Sequence, residues 1–115
     1  MATEFDHGQL EAITGGDLEF EREVLEEYLG SAPKDVDKLA GAIATGDAHA
    51  TAQAAHALKG ASATIGASGF AALALTLELA GKQGDLSHAP AACEALQREF
   101  AELVSFLRER IAKAA

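Results

Sequence analysis

At 115 residues, with 49% hydrophobic and 23% charged residues, the chain can support one modest core and is not of disordered composition. A net charge of −9 and the lack of any Lys/Arg cluster argue against nucleic acid as a partner. No apolar run reaches the roughly 20 residues of a membrane span, and the Met1-Ala2-Thr3 start lacks the basic and apolar regions of a signal peptide. These features predict a cytoplasmic protein that is a single domain over residues 1–115.

Aromatics are only 5%, Trp is absent and alternating strand patterns are missing. The expected class is therefore all-α, with a core of Leu, Ile, Val and Ala. Three Gly-Asp pairs punctuate the chain: Gly16-Asp17, Gly46-Asp47 and Gly84-Asp85. Gly suits the left-handed residue that ends a helix, and Asp suits the cap that starts the next.

In chain order, Phe5 to Ile13 suggests one or two amphipathic turns through Phe5, Leu10 and Ile13. From Asp17 to Thr45 the apolar positions Leu18, Leu25, Leu29, Ala32, Val36, Leu39 and Ile43 stay on one helical face. That phase runs through Pro33, so one long helix is expected, and the sequence leaves open whether Pro33 kinks it. The acids between Glu19 and Glu27 read as its solvated face. A helix from Asp47 to Ile65 follows. The next, Ser68 to Lys82, has leucines on nearly all sides and should be the most buried. The last, Ser87 to Ala112, carries a seam of Leu96, Phe100, Leu103, Leu107 and Ile111. Cys93 has no partner for a disulfide and reads as a small buried hydrophobe. Short connections imply an up-and-down antiparallel four-helix bundle with a short N-terminal lead-in helix.

The helix from Asp47 carries His56-Ala57-Leu58-Lys59-Gly60, with Gly66 beyond. At 100° per residue, Thr51, Ala54, Ala55, Ser62 and Ile65 share the face of Leu58. His56, His49 and Gly60 fall on the opposite side, near Gln53, Ala52 and Ala63, with Lys59 at the flank. An exposed imidazole is nucleophilic near neutral pH. Lys59 offers a point charge for developing negative charge. Gly60 costs the helix about 1 kcal/mol against Ala, so a reason outside helix stability is expected. A bare backbone one turn from the ring leaves room for another protein. The site suits a phosphoryl group carried on nitrogen and passed in line. Gly66 reads as a helix cap.

The pattern His56-x-x-Lys59-Gly60-x5-Gly66 resembles the signature of histidine-containing phosphotransfer (HPt) domains of multistep phosphorelays. Gly15-Gly16-Asp17, Ala32-Pro33, Gly46-Asp47, Ala54-Ala55-His56, Leu73, Leu77-Glu78 and Gly84-Asp85 also match, so the resemblance covers about residues 5 to 112. Ala61 departs from it, standing where the family often has a small hydroxyl residue. The resemblance implies a phosphoryl shuttle between receiver-domain aspartates, with His56 as phosphoacceptor through Nε2 and Lys59 in electrostatic support. Gly60 would leave room for the receiver, Gln53 would lend a hydrogen bond or contact the partner, and Ala52 and Ala63 would belong to the contact surface around His56. Expected partners are receiver domains of response regulators and hybrid histidine kinases. Neither kinase nor ATP-binding activity is implied, and no metal or cofactor is expected, Mg²⁺ belonging to the receiver.

Polar or alanine-rich outer faces predict a monomer, and an initiator Met with a complete bundle predicts a free-standing protein. Two other readings compete. A metal site through His49 and His56 is disfavoured because bundle ligands project inward and no Glu-x-x-His pair exists. A non-catalytic bundle that docks on a receiver or kinase without transfer would use the same surface.

Overall fold

Aspartates cap the starts of the first three helices, whereas the fourth starts after Ala67 without a side-chain cap. In a computed structural model, which describes residues 4–114, α1 spans His7–Thr14 and α2 spans Leu18–Ala44. Helix α3 spans Ala48–Thr64, α4 Ser68–Gln83 and α5 Ala89–Ala114. The residues Met1-Ala2-Thr3, read above as lacking a leader, lie outside the described residues.

Asp17 accepts from the backbone N–H groups of Glu19 and Phe20, and Asp47 accepts from that of Ala50, so both are N-caps as expected. Gly16 and Gly46 before them have φ of 81° and 71°. The third pair differs. Gly84 ends α4 in the left-handed region, but Asp85 binds the N–H and hydroxyl of Ser87 in a local turn. That turn delays α5 from Ser87 to Ala89.

Pro33 does not interrupt α2, which runs as one α-helix on either side of it. An interior proline costs about 3 kcal/mol. Burial of Leu25, Tyr28, Ala32, Val36, Leu39 and Ile43 along the same face opposes that cost. Leu18 was expected on this face but is exposed. The inward place in the first turn belongs instead to Glu21, one turn before Leu25 and paired with Arg110.

The four long helices form a ring of neighbours in chain order, and α5 closes it against α2. The diagonal pairs make no close backbone approach, as an up-and-down bundle requires. The result is 42 × 23 × 21 Å. The tightest approach is between α3 and α4, where a Cβ on Gly81 would come within 2.7 Å of the Ala48 carbonyl and the Ala52 N–H. Helix α1 packs across α2 and α3 and buries Leu10. Gly66 has φ 93°, and a Cβ there would collide with the Asp6 carbonyl, so the lead-in needs this glycine as much as the helix end does.

Helix α4 departs from its expected all-round burial. Leu75 and Leu79 are exposed, while Phe70, Ala71, Ala74, Leu77 and Gly81 face inward. They are joined there by a carboxylate, Glu78. The seam of α5 is buried at Leu96, Phe100, Leu103 and Leu107, with Ile111 half-buried. Cys93 is buried as expected, and burial pushes its thiol pKa up. No helix among the described residues is long and apolar enough to cross a membrane.

Candidate functional site

The inward face of α3 is small: Thr51, Ala55, Leu58 and Ser62 are buried, as the helical phase predicts. Ser62 meets the buried Tyr28 hydroxyl at 2.7 Å, and this contact joins α3 to α2. Burial raises the Tyr28 pKa to about 12. With the register of α3 fixed in this way, His56 stands on the outer face with 68% of its side chain exposed.

The ring is exposed but anchored on one side. Its Nδ1 lies 2.9 Å from Oε2 of Glu78, a side chain on α4 that is 1% exposed. Lys59 Nζ lies 2.7 Å from Oε1 of the same carboxylate, and Lys82 Nζ lies 3.0 Å from Oε2. Contact with Lys59 is the largest cause that brings the Glu78 pKa down to about 2, against the opposing effect of burial. Glu78 is therefore ionised at neutral pH and can only accept hydrogen bonds. Nδ1 must then carry the proton it donates to Oε2. In the neutral ring the lone pair is left on Nε2, on the far side of the imidazole.

Lys59 is 30% exposed and Lys82 is 61% exposed. The expected flank position of Lys59 holds, but its ammonium is turned to Glu78. Gly60 is exposed, and a Cβ there would meet nothing within 4 Å. Packing within the protein therefore gives no reason for this glycine. Gln53 and Ala63 are exposed and Ala52 half-buried. Gln53 makes no hydrogen bond to His56. It lies instead between two grooves: His49, Ala52, Glu78 and Lys82 line one with His56, and Asp35, Lys38, Gly41 and Ala57 help line the other.

Two members of this cluster were given no role by sequence reasoning. Glu78 entered only as part of the Leu77-Glu78 resemblance, and Lys82 only as a helix end. A usable signal was present. Glu78 is the sole acid in the helix Ser68–Gln83, and Lys82 follows it at the i,i+4 spacing of an ion pair.

The family model of the Hpt domain matches residues 23–106 of the chain. A crystal structure of histidine-containing phosphotransfer protein B (HptB) from Pseudomonas aeruginosa PAO1 is similar over 98% of each chain, with a TM-score of 0.90 and 26% sequence identity. No curated protein sequence matches. An all-α bundle carrying an exposed histidine, together with a family match over most of its length, leads to one conclusion: the chain belongs to the Hpt domain family and is a histidine phosphotransfer protein of phosphorelays.

Proposed function

We propose that Nε2 of His56 is the phosphoacceptor, and that it takes a phosphoryl group from the aspartyl phosphate of one receiver domain and passes it to the aspartate of another. The observation that carries this reading is the division of the ring's two nitrogens, one committed to a buried carboxylate and the other free on the exposed side.

The Nε2 lone pair attacks phosphorus in line as the bond to the aspartyl oxygen breaks, and the receiver's carboxylate leaves. No proton needs to move. The imidazole becomes a phosphoryl-imidazolium that keeps its proton on Nδ1. The new positive charge on the ring then faces Glu78, so the hydrogen bond becomes charge-assisted on both sides. Glu78 does not move to do this, because Lys59 and the packing of α4 hold it in place. Lys59 supports the reaction by fixing and charging Glu78, and Gly60 keeps the approach to the ring open. Gln53, Ala52 and Ala63 belong to the surface that meets the receiver.

In this reading the whole chain acts as one domain, a monomer in the cytoplasm, and contributes neither kinase activity nor a nucleotide site. Any Mg²⁺ requirement lies with the receiver, and neither nucleic acid nor membrane takes part. Incubation with a phosphorylated receiver should label the chain quickly, with an acid-labile, base-stable bond. Acetyl phosphate alone should label it poorly, and His56→Gln should abolish labelling. Labelling of His56→Gln equal to the parent's would contradict the assignment. Tight receiver binding that survives His56→Ala, with no transfer by the parent, would mark a docking module instead.

A further inference from the structure

Two lysines touch Glu78, but they are not equivalent. Lys59 shares a helix with His56 and reaches Oε1, the oxygen the ring does not use, from a position that is 30% exposed. Lys82 reaches Oε2, the same oxygen that accepts from His56 Nδ1, and it is 61% exposed. Two donors therefore share one carboxylate oxygen, which has a lone pair for each. The Lys82 ammonium stands within two hydrogen-bond lengths of the ring and lines the same groove as His56 and His49.

We propose that Lys82 is a mobile phosphoryl-binding residue: once Nε2 is phosphorylated, its ammonium leaves Oε2 for the phosphoryl oxygens, and Oε2 is left to the Nδ1–H of the imidazolium.

The proposal rests on His56 being the acceptor and adds a second cation to that reading. Three features support it. A lysine ammonium is a compact point charge on a flexible stem, suited to changing partners, whereas an arginine fork would hold its carboxylate. Losing Lys82 does not strand Glu78, because Lys59 and the ring remain on it. The exchange also puts each charge where it is best matched, with the dianionic phosphoryl group gaining a cation and the imidazolium gaining sole use of Oε2. Lys59 cannot exchange in this way without uncovering a buried carboxylate oxygen.

The test uses the full chain and a receiver domain that loads it. Lys82→Met should shift the phosphoryl equilibrium toward the receiver by about fivefold, the scale of one solvent-exposed ion pair. The ³¹P titration of the phosphohistidine should move its last ionisation to higher pH, since a cation beside the dianion has gone. Lys82→Arg keeps the charge but holds its carboxylate, so it should restore neither effect fully. In the unphosphorylated protein, the Nδ1–H signal of His56 should persist in Lys82→Met. An unchanged equilibrium and ³¹P titration in Lys82→Met would overturn the proposal. Loss of the Nδ1–H signal in that variant would overturn it too, because Lys82 would then be a structural support for Glu78. Labelling of His56→Gln would instead show that the acceptor itself was misassigned, and the proposal would fall with it.

Discussion

Among the described residues two carboxylate side chains are buried between helices, each in a cluster that holds a histidine and a basic side chain, yet the two clusters do opposite things. Glu21 on α2 receives a two-pronged contact from Arg110 on α5, with Nε at 3.0 Å and the second guanidinium nitrogen at 3.1 Å. A third prong of Arg110 reaches Nδ1 of His7 at 3.0 Å. Arginine can only donate, so His7 must offer its Nδ1 lone pair there. Its ring also lies against Phe5 and Phe106. Glu78 instead meets three separate groups, and His56 donates to it. One histidine spends its lone pair on the protein, while the other is left with one to spare. Proximity to acids and bases does not make a histidine reactive. Reactivity depends on which nitrogen the protein takes.

The comparison can be broken first at Glu78. Glu78→Ala frees the His56 ring to rotate and removes the charge that faces the imidazolium. Phosphoryl acceptance from a receiver should fall about 100-fold, as when a supporting partner of a functional histidine is lost, and rapid-quench kinetics would measure it. Glu78→Gln keeps an acceptor and should lose less. Arg110→Ala should do the reverse. It leaves Glu21 buried without its cation and should cost about 2–3 kcal/mol in urea unfolding, with transfer kinetics unchanged. If both variants slow transfer equally, the two clusters are not separate in function.

Acid sharpens the contrast. The Glu78 pKa is depressed from 4.5 to about 2, so its contribution to stability is complete above pH 4.5. It is lost as the pH falls from there toward 2. Glu78→Gln should flatten the stability profile in that window. Gly60→Ala probes the approach to the ring. It should stabilise the fold by about 1 kcal/mol, seen as a higher Tm, because no internal atom opposes the added Cβ. If the bare backbone serves a docking partner, the same substitution slows transfer. The smallest effect is alkaline. Tyr28 has its pKa raised from 10.0 to about 12, so stability should decline as the pH rises from 10 through 12, and Tyr28→Phe should remove that decline.

Much of this was legible in the sequence, for local reasons. Gly-Asp pairs mark helix ends because capping is a short-range interaction: Asp17 and Asp47 are N-caps and Gly84 is a C-cap. Helical phase placed His56 outside and Leu58 inside because each turn of α3 has small inward residues and a regular period. Residue type and helical spacing singled out His56, Lys59 and Gly60, and the resemblance gave each a role. What the sequence did not reveal depends on contact across helices. Leucines at Leu75 and Leu79 look like core in any window, and only the packing of α3 and α5 on α4 leaves them outside. Glu78 looks like a solvated acid until α3 brings His56 and Lys59 to it, beside Lys82 on its own helix. Pro33 did not hide the helix, because the apolar phase of α2 reads through it in the sequence alone.

The most direct test of the central claim is a long-range ¹H–¹⁵N correlation spectrum of the imidazole rings, with ³¹P coupling recorded after loading from a phosphorylated receiver. His56 should show a proton on Nδ1 before and after loading, with phosphorus bonded to Nε2. Phosphorus on Nδ1, or on the ring of His7, His49 or His88, would contradict it.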